Sequence, residues 1–395
     1  MIYYDNAATT PPINYNVESI FYVPENCEAV SCRNLRFRCS QLVEKSLRSK
    51  LFYGNPSSPH SLGLKSEHAL INARETFSSI LNCDSSEIIF TSGGTESNNL
   101  AILGTAFAYK RKKISYYSYP NEHPSVILPL KYITEQKLGD VYIKDFTVRE
   151  SEDDIKVFCF SHVCGETGLV SDISKIATQL KGLYNNSVVI VDGVQGFCKE
   201  NINLKNVDLY SFSAHKCHGQ TGLGGLYIKK GIKLSPIFFG GGQEKGVRPG
   251  TENVHGICEF SKLAGHLNKD LKRNYNHVMK IKEIIKSIAN EISDVHINEV
   301  EGVYSPYILN MSFLGINGET LMNMLSEKNI YISMGTACNS KKKTKSTLEL
   351  SGFSKNISIS AVRFSFSILN SIDEAKYAKE IIKDCVVNLR EMLRS

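Results

Sequence analysis

Ser187-Val188-Val189-Ile190-Val191-Asp192, followed downstream by Asp208-Leu209-Tyr210-Ser211-Phe212-Ser213-Ala214-His215-Lys216, decides the fold. The unbroken aliphatic run before Asp192 reads as a strand buried on both faces, which delivers a carboxylate at its C-terminal end. The second stretch reads as a short strand that delivers a lysine. Glu87-Ile88-Ile89-Phe90 is a further strand with a helix behind it from Glu96 to Lys110. Ile155 to Ser161 is a strand, Ile173 to Lys181 a helix, and Val188 to Val191 a strand again. Such alternation predicts a mostly parallel sheet covered by helices.

From about Gly256 the pattern changes to one long helical run ending near Glu291, then to mixed strands and helices. The last segment, Asp373 to Leu393, sets Ala378, Ile381, Ile382, Cys385, Val386, Leu389 and Leu393 at helical spacing, the core face of a smaller C-terminal unit. The fold class is therefore α/β, with a large sheet-and-helix domain and a smaller α+β C-terminal domain. A length of 395 residues, 42% of them hydrophobic, suits that division. The net charge of +6, from 46 basic and 40 acidic residues, is too mild to indicate direct nucleic-acid binding. Eleven cysteines in a long chain whose start, Met1-Ile2-Tyr3-Tyr4-Asp5-Asn6, lacks a secretory pattern predict free thiols in the cytoplasm. No apolar run has the length to span a bilayer, so no membrane is expected.

Six further motifs carry chemistry. Phe90-Thr91-Ser92-Gly93-Gly94-Thr95-Glu96 turns from a strand into a helix, whose free N–H groups suit an anion. Asn121-Glu122-His123-Pro124 offers an imidazole for stacking and proton transfer, or a helix cap. Asp192-Gly193-Val194-Gln195 sets an acid and an amide at the sheet edge where open α/β folds bind ligands. Gly240-Gly241-Gly242 leads to Arg248-Pro249-Gly250-Thr251, where Thr251 is a hydroxyl suited to a phosphate. Finally, Gly335-Thr336-Ala337-Cys338-Asn339 presents a thiol in a small-residue loop followed by lysines, and Arg363 sits in the strand-like Ala361 to Phe366. A thiol with a pKa near ~8.5 needs activation, and an arginine there suits bidentate capture of a carboxylate.

A single lysine is most often a solvated surface group. A Lys and an Asp at neighbouring strand ends, with a Gly-rich turn earlier, form the layout of a pyridoxal 5'-phosphate (PLP) site. Together the motifs resemble the NifS/IscS-type cysteine desulfurases of the class V, fold-type I PLP enzymes. The resemblance runs from Asp5-Asn6-Ala7-Ala8-Thr9-Thr10 and Gly54-Asn55-Pro56 through the motifs above to Arg363. It implies a large PLP-binding domain over 15–256, and a small domain over 257–395 with 1–14 that carries the Cys338 loop. It implies Lys216 as the Schiff-base lysine, Asp192 on the ring nitrogen, Gln195 on the phenolic oxygen, and His123 stacked on the ring as acid/base. Gly94, Thr95, Ser213 and His215 would hold the phosphate, with Thr251 supplied by the second subunit of a homodimer. Asn6 and Arg363 would bind the substrate, L-cysteine. Cys338 would take its sulfur as a persulfide, leaving alanine, and pass it to an acceptor protein for Fe–S clusters or tRNA thiolation.

The chain departs from the family in three places. His162-Val163-Cys164-Gly165-Glu166-Thr167-Gly168 lacks the family's two Asn before Glu, so a hydrogen bond to the phenolic oxygen is expected to be missing at Cys164. Gln220-Thr221 replaces the usual Pro-Lys, and Phe21 to Gln41 reads as an insertion. Its Cys27, Cys32 and Cys39 read as free thiols and not as a metal site, because no fourth ligand is evident. Two other readings stand beside the desulfurase. One is another class V enzyme, a selenocysteine lyase or an amino-acid lyase, and the other is a PLP-free scaffold of a sulfur pathway.

Overall fold

The computed structural model describes residues 1–12, 54–148, 154–334 and 345–394, and the Phe21–Gln41 stretch and Cys338 lie outside them. A seven-stranded sheet runs in the order Ile88–Thr91, Gly224–Ile228, Leu209–Ser213, Ser187–Asp192, Ile155–Ser161, Ile114–Ser118, Asp140–Ile143. Gly224–Ile228 is antiparallel to both neighbours and every other pairing is parallel. The sheet is thus mostly parallel, as the strand–helix alternation predicts.

Side chains alternate across the central strand as a period of two requires. Val189 and Val191 face one layer, with Phe77, Phe158, Phe197, Phe212 and Phe260 under the helices Ser61–Leu81 and Val254–Lys269. Val188 and Ile190 face the other, with Leu100, Ala101, Val126 and Leu130 from the helices Gly94–Ala108 and Pro124–Glu135. Phe197 stacks on Phe212 with ring centroids 4.6 Å apart. Burying each such ring contributes roughly 1.5–3 kcal/mol.

A separate apolar cluster forms around the antiparallel sheet of Val295–Ile297, Ile308–Phe313 and Ala361–Ser365. Ile2 and Tyr4 from the chain start belong to it, and Ile2–Tyr3 pairs in parallel with Ile330–Tyr331. The C-terminal helix Ile372–Arg394 buries Ala378, Ile382, Cys385, Val386 and Leu389 there. Leu393, expected on the same core face, is 67% exposed and lies outside that cluster.

The long helical run expected from Gly256 to Glu291 is two helices, Val254–Lys269 and Leu271–Lys286, followed by a 3-10 turn. They break at Asp270, whose φ of −101° and ψ of 12° leave the helical region. The break lets two apolar stripes face different cores. Ile257, Phe260, Leu263 and Leu267 join the large one, and Val278, Ile281 and Ile285 the small one.

Candidate active site

The parallel strands end on one side of the sheet, and the register there is tight: Ser161 sits opposite Asp192, and Asp192 opposite Ser211. Loops leaving those ends enclose a cavity of about 740 Å³. Gly94, Thr95, His123, Asp192, Gln195, His215, Lys216 and Arg363 all line it, with Ala7, Ala8, Glu122, Cys164 and Gly165 among the rest. These predicted residues come from positions as far apart as 94 and 363, and folding brings them together. Ser213 lies just behind the wall, fully buried, its Oγ 2.8 Å from His215 Nδ1.

Asn6 and Thr251 do not line this cavity. Asn6 is turned inward at 1% exposure, and its Nδ2 donates to Ser365 O at 2.7 Å and Tyr3 O at 3.1 Å. Its neighbours Ala7 and Ala8 face the cavity instead. Thr251 is exposed to solvent.

A buried relay that the motifs did not reveal orders the acid and the imidazole. Asn98 Nδ2 donates to Asp192 Oδ2 at 2.8 Å and to Ser125 Oγ at 2.9 Å. Asp192 Oδ1 accepts from Val194 N at 3.0 Å. Ser125 Oγ lies 2.7 Å from His123 Nδ1 and donates to it, because Nδ1 already accepts from the Ser125 backbone N–H. Ser125 N–H also donates to Nδ1, at 3.1 Å, so His123 both caps the helix Pro124–Glu135 and faces the cavity. With Nδ1 an acceptor, the neutral ring carries its proton on Nε2. Burial pushes the His123 pKa below its ordinary value, against the pull of Asp192, which favours that neutral ring. The one clue in the sequence is a polar Asn98 beside Leu100, Ala101 and Ile102 on a buried helix.

Lys216 Nζ donates to Ala7 O at 2.6 Å and Ala8 O at 2.7 Å. Burial, then the charges of Lys199 and Arg363, lower its pKa to about 8. About a tenth of the amine is therefore unprotonated and nucleophilic at pH 7, far more than for an ordinary lysine. Glu122, which also lines the cavity, accepts from Ser161 N at 3.1 Å and from Ser161 Oγ. Burial raises its pKa to about 7.

Arg363 Nη1 donates to Gly165 O at 2.9 Å, and Nη2 contacts Asp5 Oδ1 at 3.2 Å. Among the described residues its buried Nε has no hydrogen-bond partner, and the residue lines the cavity, where a guanidinium suits a carboxylate. The Cys164 thiol is occupied within its own turn by Thr167 and Glu166, and burial raises its pKa. A Cβ at Gly165 would stand 3.6 Å from Gln195 Cγ and Nε2. The loss of an amide next to Gln195, expected at Cys164, is therefore shared by Gly165.

The donor set fits pyridoxal phosphate. The helix Gly94–Ala108 begins at the cavity wall, with Gly93, Gly94 and Thr95 lining it, as an anion requires. Gly94 is favoured by packing, because a Cβ there would lie 2.4 Å from Val194 Cγ2. Lys216 would carry the aldehyde and Asp192 the ring nitrogen.

A family model described as aminotransferase class-V matches residues 39–377. The chain belongs to this class V family, in its NifS/IscS cysteine desulfurase branch. It is 34% identical to cysteine desulfurase IscS of Buchnera aphidicola subsp. Baizongia pistaciae, over 86% of this chain and 87% of that one. It is 36% identical to a NifS/IscS-type homologue of Lactobacillus delbrueckii subsp. bulgaricus, over 95% of this chain and 94% of the relative. Among solved structures, a NifS-like protein superposes with a TM-score of 0.83 at 28% identity, covering 98% of this chain and all of that one. A structure described as SspA in complex with cysteine superposes at 0.71 with 27% identity, over 93% and 99% of the two chains. PLP is a general property of the class V family.

Proposed function

We propose that this chain binds PLP and removes sulfur from L-cysteine, giving L-alanine and a Cys338 persulfide. The observation that carries this reading is the convergence of Lys216, Asp192, His123, the Gly94–Thr95 turn and Arg363 on one cavity. The structural relative described above is in complex with cysteine, and two curated relatives bear the name cysteine desulfurase IscS.

When bound, the cofactor supplies an electron sink that makes the substrate's Cβ–Sγ bond labile. This chain's residues do the rest. Lys216 would hold the cofactor and, once displaced by substrate, return a proton through its low-pKa amine. Asp192, fixed by Asn98 and Val194 N, would keep the ring nitrogen protonated. His123 would move a proton at Nε2, and Arg363 would hold the substrate carboxylate. Gly94, Thr95, Ser213 and His215 would take the phosphate, while Asn6 would shape the substrate end from behind Ala7. Cys338 would accept the sulfur and hand it to an acceptor protein for Fe–S cluster assembly or tRNA thiolation.

The working unit would be a homodimer in which Thr251 reaches the partner's phosphate site. Supporting this, Thr251 is exposed, Phe238 and Phe239 are 53% and 89% exposed, and Gly240 beside them packs against Pro249, two residues before Thr251. Apolar surface of that size in a Gly-rich stretch suits an interface. We divide the chain into a PLP-binding domain and a small domain. Because Val254–Lys269 packs in the large core, we draw the border near Asp270 and not at 256. A cytoplasmic location is supported by the described cysteines, all of which are free thiols. Among the described residues no helix is long and apolar enough to cross a membrane.

The test is an absorbance spectrum of purified protein with PLP, followed by L-cysteine with alanine and sulfide quantified. A visible band and stoichiometric alanine are expected. A band without alanine would point to another class V reaction, and no band would sink the cofactor assignment. Cys338→Ser should keep the band and lose sulfide release.

A further inference from the structure

Lys199 is a charged side chain that none of these roles uses, and it lies 6% exposed in the turn after the Asp192 strand. Its Nζ donates to Gln195 Oε1 at 3.2 Å, from one helical turn away. The ring of Tyr307 lies 5.7 Å from the ammonium. An ammonium has donors only, so the Gln195 atom it meets must be the amide oxygen. This settles the orientation of an amide that is otherwise ambiguous. The Gln195 Nε2 edge then points the other way, where it donates to Ala7 O at 2.9 Å, the carbonyl that Lys216 also uses. Gln195 lines the cavity, and the amide carries a second N–H for a ligand there.

We propose that Lys199 is a positioning residue, fixing Gln195 so that its N–H₂ edge, and not its oxygen, serves the cofactor's phenolic oxygen. The inference rests on the PLP reading above. Its importance follows from the departure at Cys164 and Gly165: with no amide at either position, the contact to the phenolic oxygen falls to Gln195, whose orientation Lys199 at Oε1 and Ala7 O at Nε2 set together. The charged and titratable groups facing Lys199 are Glu200 and Cys198 on its own turn. Cys217, His215, Lys216 and His218 face it from the lysine loop, and Arg363 from the small sheet. Burial lowers the Lys199 pKa to about 8, so the ammonium is present below that pH and is lost as pH rises through it.

The experiment reads the pH midpoint of the bound cofactor's visible absorption in wild type, Lys199→Met, Lys199→Arg and the same Lys199→Met change in a Gln195→Met background. A donor on the phenolic oxygen and a cation behind it both disfavour the protonated form. Lys199→Met should therefore raise the midpoint by about one pH unit. Lys199→Arg should restore most of the shift, and the Gln195→Met background should remove most of it. An unchanged midpoint in Lys199→Met, or a full shift without Gln195, overturns the proposal. If Met at 199 unfolds the chain, Lys199→Leu carries the same expectation, and loss of fold in both assigns Lys199 a structural role instead. Absence of any band in wild type would instead sink the PLP reading, a distinct result.

Discussion

Asp192, Asn98, Ser125 and His123 form a chain of donors and acceptors in which each partner has one workable assignment. Asn98→Ala would leave the buried Asp192 Oδ2 without its donor, at a cost of about 1–3 kcal/mol. Thermal unfolding should show that loss, together with faster cofactor release. Lys216 gives the pH prediction. Its lowered pKa means the neutral amine dominates above about 8, where an ordinary lysine is still charged. The rate at which cofactor-free protein takes up PLP, followed by absorbance, should rise through pH 8 and then level off. A rate still climbing at pH 10 would refute the shift. Lys216 and Asp192 were legible at this scale because each ends an apolar run. Asn98, Glu122 and Lys199 were not, because their partners are distant in sequence or chosen by rotamer.

The turn from the strand Ile88–Thr91 into the helix Gly94–Ala108 shows how an element can be tuned for a ligand. Gly94 keeps the helix start close to Val194, beside Asp192, and any side chain there would push the two apart. Gly94→Ala should destabilise by about 1–3 kcal/mol through overpacking and weaken PLP affinity. Val194→Ala in the same chain should recover most of the stability, which a double-mutant cycle by chemical denaturation would measure. The strands and most helices were legible from their periods of two and 3.6. The break at Asp270 was not, because both helices carry the same apolar period and only their destinations differ.

Across the whole molecule, the first ten residues connect the small core to the site. Ile2 and Tyr4 are buried among Phe364 and Phe366, while Ala7 O and Ala8 O hold Lys216 and Thr10 Oγ1 donates to His215 O at 2.8 Å. Among the described residues the buried Tyr4 hydroxyl has no partner, so Tyr4→Phe should be neutral or stabilising in thermal unfolding. Tyr4→Ala should cost about 3–5 kcal/mol by leaving a cavity. Phe239, at 89% exposure, belongs to the proposed dimer face. Phe239→Glu should shift the protein toward monomer in sedimentation and lower PLP affinity, since Thr251 would no longer be supplied by the partner. A variant that stays dimeric would place the interface elsewhere.

The sequence by itself determined the α/β class, the parallel character of the sheet, the strand-end Asp192 and Lys216, and the Gly-rich helix start. Each of these is written in a local period or a local turn, which neighbouring residues enforce on one another. Only the tertiary structure decided which residues meet. It set Asn98 against Asp192, Lys199 against Gln195, Ala7 and Ala8 against Lys216, and Arg363 in the wall of the cavity. Such contacts depend on packing between elements, where a hydrogen bond in a buried, low-dielectric site is set by distance and direction in space and leaves no periodic trace along the chain.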